Sequence, residues 1–132
     1  MDGRVEEGAP SLRLRGVVLD TPEPVALAAF YARLLGWSYG TQQPGWVVLL
    51  DPHGGAGVSF QREERYVAPV WPAGPGDVAM MVHLDVEVDD LEAAVAWAQR
   101  CGARVAAHQP QAHVRVCQDP DGHPFCLYVE QA

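Results

Sequence analysis

The residues best suited to chemistry sit in one short stretch, His83-Leu84-Asp85-Val86-Glu87-Val88. Side chains alternate across a strand, so a core face made of Leu84, Val86 and Val88 sends His83, Asp85 and Glu87 to the opposite side. A histidine flanked by carboxylates can move a proton, because imidazole is the side chain whose charge changes near neutrality. His83 is therefore the candidate catalytic group. The same alternation on other strands adds Asp20, Ser59, Gln61, Arg115 and Tyr128 to that polar face. Such a face can equally orient a ligand by hydrogen bonds without reacting with it. Trp37, Trp46, Phe60, Trp71 and Tyr128 stand on or beside it, and aromatic faces stack on flat or cationic molecules.

The elements that must position these residues occur twice, in the same order. Residues 16–61 run from Gly16-Val17-Val18-Leu19-Asp20 through a helical stretch ending Leu35-Gly36 to Trp46-Val47-Val48-Leu49-Leu50-Asp51-Pro52-His53-Gly54 and Val58-Ser59-Phe60-Gln61. Residues 83–130 repeat the sequence of features, with Cys101-Gly102 at the helix end and Asp119-Pro120-Asp121-Gly122 at the turn. A period this long points to a duplicated half-domain whose copies share one interior, rather than to a stacked repeat.

In the first copy, Leu12 to Leu19 alternates as a strand, with Leu12, Leu14, Val17 and Leu19 among its apolar members. Thr21 is a plausible helix cap with proline next to it, although Pro24 can move the start later. Leu27, Phe30, Tyr31, Leu34 and Leu35 recur at helical spacing, and Gly36 ends the helix. Strands over 37–41, 46–51 and 57–62 follow, so the unit reads β-α-β-β-β. Residues 63–79 are Pro- and Gly-bearing and form the linker; Trp71 within it is a plug on the domain or a cover for a ligand pocket. In the second copy Asp89 or Asp90 caps a helix carrying Leu91, Ala94, Val95 and Ala98 with Trp97 alongside, and Gly102 closes it. Strands over 103–107, 112–118 and 124–130 complete it. Phe125, Leu127 and Val129 share one face of the last strand, which leaves Cys126 and Tyr128 on the concave side.

The chain of 132 residues with 48% apolar content suffices for one domain. The organisation is a flexible tail over 1–11 and a single domain over 12–130, divided into module one (12–62), the linker (63–79) and module two (80–130). Net charge is −8, and all nine cationic residues are arginine. No basic stripe exists to neutralise phosphates, which argues against a nucleic-acid partner, and an acidic molecule suits a cationic ligand. The apolar runs are too short for a membrane span and the start is acidic, unlike a secretory leader. Cys101, Cys117 and Cys126 lack CxxC spacing and read as thiols in a reducing compartment. A cytoplasmic protein is expected. His53, His108, His113 and His123 read as exposed turn and loop residues, and Asp51 and Asp119 as acceptors for turn N–H groups.

These residues resemble the vicinal oxygen chelate superfamily, which includes glyoxalase I, bleomycin and fosfomycin resistance proteins and extradiol dioxygenases. Phe30-Tyr31 followed by Leu34-Leu35-Gly36-Trp37 is similar to that family's FYxxLLGW segment, and Asp119-Pro120-Asp121-Gly122-His123-Pro124-Phe125 to its DPDGxxF hairpin. The character is nearest to that of actinobacterial glyoxalase-like proteins. The resemblance implies an α+β fold of two βαβββ modules forming an open, curved mixed sheet around a cleft, and homodimers. It fixes no reaction, because one fold hosts many chemistries.

The resemblance also implies where a divalent metal would sit, on inward residues of the first and last strands of each module. Those positions fall on Gly16, Ser59, His83 and Cys126, with Gln61 next on the face of Ser59. A metal site needs about three donors, and a glycine and a hydroxyl do not replace two of them. The family's metal site is thus expected to be degraded, with no cofactor assigned; if an ion is held, His83, Cys126 and Gln61 are its ligands. The expected function is binding of a small organic molecule in the cleft, as in the drug- or metabolite-sequestering members of the family. The expected binding residues are Trp46, Ser59, Gln61, Trp71, His83, Asp85, Arg115, Cys126 and Tyr128. The alternative is an enzyme of the same fold, either a metal-dependent lyase, isomerase or dioxygenase or a metal-free acid–base catalyst using His83.

Overall fold

The structure is a computed structural model that describes residues 6–130. Residues 1–5 of the tail expected over 1–11 lie outside the described residues. The first module comprises β1 (Gly16–Thr21), α1 (Pro24–Leu35), β2 (Ser38–Gln43), β3 (Trp46–Leu50) and β4 (Gly57–Arg62). The second comprises β5 (Leu84–Glu87), α2 (Leu91–Cys101), β6 (Arg104–Val105), β7 (Val114–Gln118) and β8 (Pro124–Tyr128). The sheet orders are β1-β4-β3-β2 and β5-β8-β7-β6. In each, the first strand pairs in parallel with the last and the others are antiparallel. The two βαβββ modules expected from the sequence are present.

Strand β1 begins at Gly16, later than the alternation from Leu12 suggests. Leu12 and Leu14 are 86% and 73% exposed. A strand lasts as long as its partner does, and the parallel register starts at Gly16 opposite Gly57. Before it, Gly57 N–H donates to the Arg15 carbonyl at 2.9 Å. The helix start also moves: Pro24 occupies the first turn and Glu23 the cap position. Thr21 is fully buried; its hydroxyl accepts from Glu23 N–H at 2.9 Å and donates to Asp121 at 2.5 Å. Both helices end at glycines in the left-handed region, Gly36 at φ 70° and Gly102 at φ 117°, where a side chain would be strained.

The modules share one core. Tyr31 of α1 stacks on Phe60 of β4 at 5.6 Å between centroids, and Phe30 meets Phe125 of β8 edge-on at 6.0 Å. Helix α1 packs on the first sheet and α2 on the second, and the two helices lie against each other. Trp97 of α2 donates its indole N–H to the Leu34 carbonyl at 3.2 Å, and Arg33 and Arg100 lie over its ring. Because Phe60 and Phe125 point into this core, their strand neighbours Ser59 and Cys126 point out of it.

Candidate functional site

The outward face of the first sheet is built from paired positions. Gly16 lies opposite Gly57, Val18 opposite Ser59 and Asp20 opposite Gln61, and β3 adds Val48 beside Ser59 and Trp46 beside Gln61. Two glycines in register leave a floor without side chains. A Cβ on Gly57 would run into the Leu49 carbonyl oxygen, so that position tolerates nothing larger. Over this floor opens a cavity of about 490 Å³, with Trp46, Val48 and Ser59 in its wall and Arg13 and Arg15 at its rim. Gln61 lies on the same face but spends its amide on Asp20, donating at 2.8 Å.

The outward face of the second sheet holds the other candidates. His83 Nε2 lies 3.0 Å from Asp85 Oδ1, and Asp85 is opposite Cys126 across the parallel β5–β8 pair. One donor atom each of His83, Asp85 and Cys126 falls within 4.8 Å of the others. Burial raises the Cys126 thiol pKa above its ordinary value, and the charge and hydrogen bond of Asp85 raise it further. Tyr128 shares this face, opposite Glu87.

The structure places the other expected residues and corrects the placement of Arg115. His83, Asp85 and Cys126 form a three-donor cluster, while Gln61, the third ligand the sequence suggested, lies on the other sheet and is bonded to Asp20. Arg115 lies across from Leu127 on the helix side. There it borders a hollow with Leu91 and Val95 of α2, and Nη1 donates to the carbonyls of Gln111, Ala112 and Val114. Phe60 is a core residue, and Trp37 borders a hollow shared with Leu34, Val58 and Val86. Trp71 lies against His108, 5.5 Å between ring centroids.

His123 is no exposed turn residue. Its Nδ1 lies 2.8 Å from Asp119 Oδ2 and its Nε2 lies 2.8 Å from the Asp20 carbonyl. Burial alone would lower its pKa, but the Asp119 hydrogen bond and charge, the Asp20 carbonyl and the Asp121 charge outweigh it and raise the value. Asp119 is fully buried and also accepts from the Tyr31 hydroxyl at 2.7 Å. Arg13 and Arg15 are the lining residues that sequence reasoning missed; the one signal for them was two cations immediately before the first-strand position Gly16.

A family model described as "Glyoxalase-like domain" matches residues 16–128. The chain belongs to that family, within the vicinal oxygen chelate superfamily. The glyoxalase-like domain is similar in fold to a glyoxalase/bleomycin resistance protein/dioxygenase family enzyme from Burkholderia phytofirmans PsJN. The TM-score is 0.70 at 19% identity, over 89% of this chain and 98% of that one. A glyoxalase/dioxygenase from Nostoc punctiforme gives 0.67 at 17% identity over 100% of both chains. A possible glyoxalase from Bacillus cereus gives 0.64 at 16% identity, over 89% of this chain and 99% of that one. No curated protein matches the chain.

The family's metal positions can be tested on the glyoxalase-like domain's own donors. Gly16 offers none and Ser59 a hydroxyl; His83, Asp85 and Cys126 offer imidazole, carboxylate and thiol within reach of one ion. That set would suit zinc better than a hard cation such as magnesium. An ion held there would supply Lewis-acid polarisation of a ligand oxygen.

Proposed function

We propose that this glyoxalase-like domain binds a small organic molecule on the outward faces of its sheets and releases it unchanged. The observation that carries this reading is the first-sheet cavity. It is of ligand size, walled by Trp46 and floored by glycines. A full metal centre of the family type is absent from this reading. Ser59 and Trp46 serve as contacts on one sheet, and His83, Asp85, Cys126 and Tyr128 on the other.

The geometry favours a homodimer for the same function. Strands β1 and β5 are edge strands of their sheets, and free edges seek partners. Val18, Val78, Met81 and Val82 are exposed apolar residues on or near them, Met81 at 99%. A second copy would cover these edges and set the first face of one chain against the second face of the other. The free thiols Cys101, Cys117 and Cys126 suit the cytoplasm, and cell fractionation would check that placement. Among the described residues no helix is long and apolar enough to cross a membrane.

The second reading, a metal-assisted enzyme, is favoured by one observation, the His83–Asp85–Cys126 cluster. Zinc titration of chelator-treated protein separates the two. The first reading expects no stoichiometric uptake, with bound compounds recovered intact. About one equivalent of zinc, lost in both His83→Ala and Cys126→Ser, would overturn it. Sedimentation of the same samples should give twice the chain mass, and a monomer at all concentrations would sink the dimer.

A further inference from the structure

The first-sheet cavity is basic in a molecule that is not. Arg13 and Arg15 stand at its rim, while the chain as a whole carries −8. The one carboxylate in its lining, Asp51, is already committed. Its Oδ1 accepts from His53 N–H at 2.9 Å and its Oδ2 from Gly55 N–H at 3.0 Å. Arg13 donates one nitrogen to the Gly54 carbonyl at 2.8 Å, which anchors the guanidinium to the turn and leaves other donors of its fork open. The Arg15 backbone is pinned to β4 through Gly57. Among the described residues, neither arginine lies within ion-pair distance of a carboxylate.

We propose that this cavity takes a flat organic anion. Its carboxylate or phosphate meets Arg13 and Arg15, whose planar forks match such groups, and its apolar body lies along Trp46 and Val48 over the Gly16–Gly57 floor. This deepens the binding function proposed above and rests on it. It also reverses the expectation from net charge, since a ligand responds to the charges lining its own site more than to distant ones screened by salt.

The test is calorimetry with four probes sharing one ring system: 2-naphthoate, 2-naphthyl phosphate, 2-naphthamide and 2-naphthylmethylammonium. At least one anion should bind about tenfold or more tightly than the amide, the size expected of a charge-assisted hydrogen bond, and the preference should shrink as salt rises. The double variant Arg13→Gln/Arg15→Gln changes two exposed side chains. It should bring the anions to the level of the amide. An amide or ammonium that binds as tightly as the anions overturns the anion assignment and leaves the binding function standing. An anion preference that survives in the double variant overturns the assignment to these arginines. Binding of none of the four overturns both proposals.

Discussion

Asp119 is fully buried and accepts from the N–H groups of Asp121 and His123, the His123 ring and the Tyr31 hydroxyl. The turn role follows from the local run Asp119-Pro120-Asp121-Gly122. The tyrosine does not, because Tyr31 lies 88 residues away and nothing in its helical spacing names a partner. Burial raises the Tyr31 pKa well above the ordinary phenol value, and the Asp119 charge and hydrogen bond add to it. The hydroxyl therefore stays a donor at any pH the protein meets. Tyr31→Phe removes that donor from a buried carboxylate and should lower unfolding stability by about 1–3 kcal/mol. Urea denaturation would read it, and an unchanged midpoint at unchanged slope would show that the bond contributes nothing.

The two helices end alike, each at a left-handed glycine, but start differently. Asp90 Oδ1 accepts from Ala93 N–H at 3.0 Å and caps α2, one of the two aspartates the sequence offered. Helix α1 has no side-chain cap, because the Thr21 hydroxyl, the candidate for it, is engaged by Glu23 and Asp121. Asp90→Ala should cost about 1 kcal/mol, seen as a lower thermal midpoint; a variant as stable as the parent would mean the first turn of α2 is held by packing alone. Strand limits were less legible. Leu12 and Leu14 continue the apolar alternation of β1 yet stand in solvent, since periodicity reports what a segment can bury and not where its neighbour ends.

Across the whole molecule, His123 ties the second module's turn to the first module's β1. Its Nε2 faces the Asp20 carbonyl, which can only accept, and its Nδ1 faces the Asp119 carboxylate, so the bound form carries both protons. Asp121 adds negative charge, and the Tyr66 ring lies 5.1 Å away on the linker side. With the folded pKa raised, this contribution to stability is fully present below the unfolded value of about 6.5 and is lost as pH rises through the folded one. Denaturation midpoints measured from about pH 6 to about pH 9 should therefore fall by more in the parent than in His123→Asn. Equal slopes would show that the latch does not titrate in that range.

The sequence by itself determined the duplicated βαβββ order, the helix ends at Gly36 and Gly102, the outward direction of Ser59 and Cys126 and the family, because each depends on local periodicity and turn chemistry. Only the tertiary structure decided which polar residues meet. Packing each sheet on its own helix, with the helices against each other, placed Ser59 with Trp46 and the arginines on one face and His83 with Asp85 and Cys126 on another. It also turned Arg115 toward α2 and drew His123 to Asp20. Those pairings span up to 103 residues of chain, and at that range contact is set by how faces pack, which no run of neighbouring residues encodes.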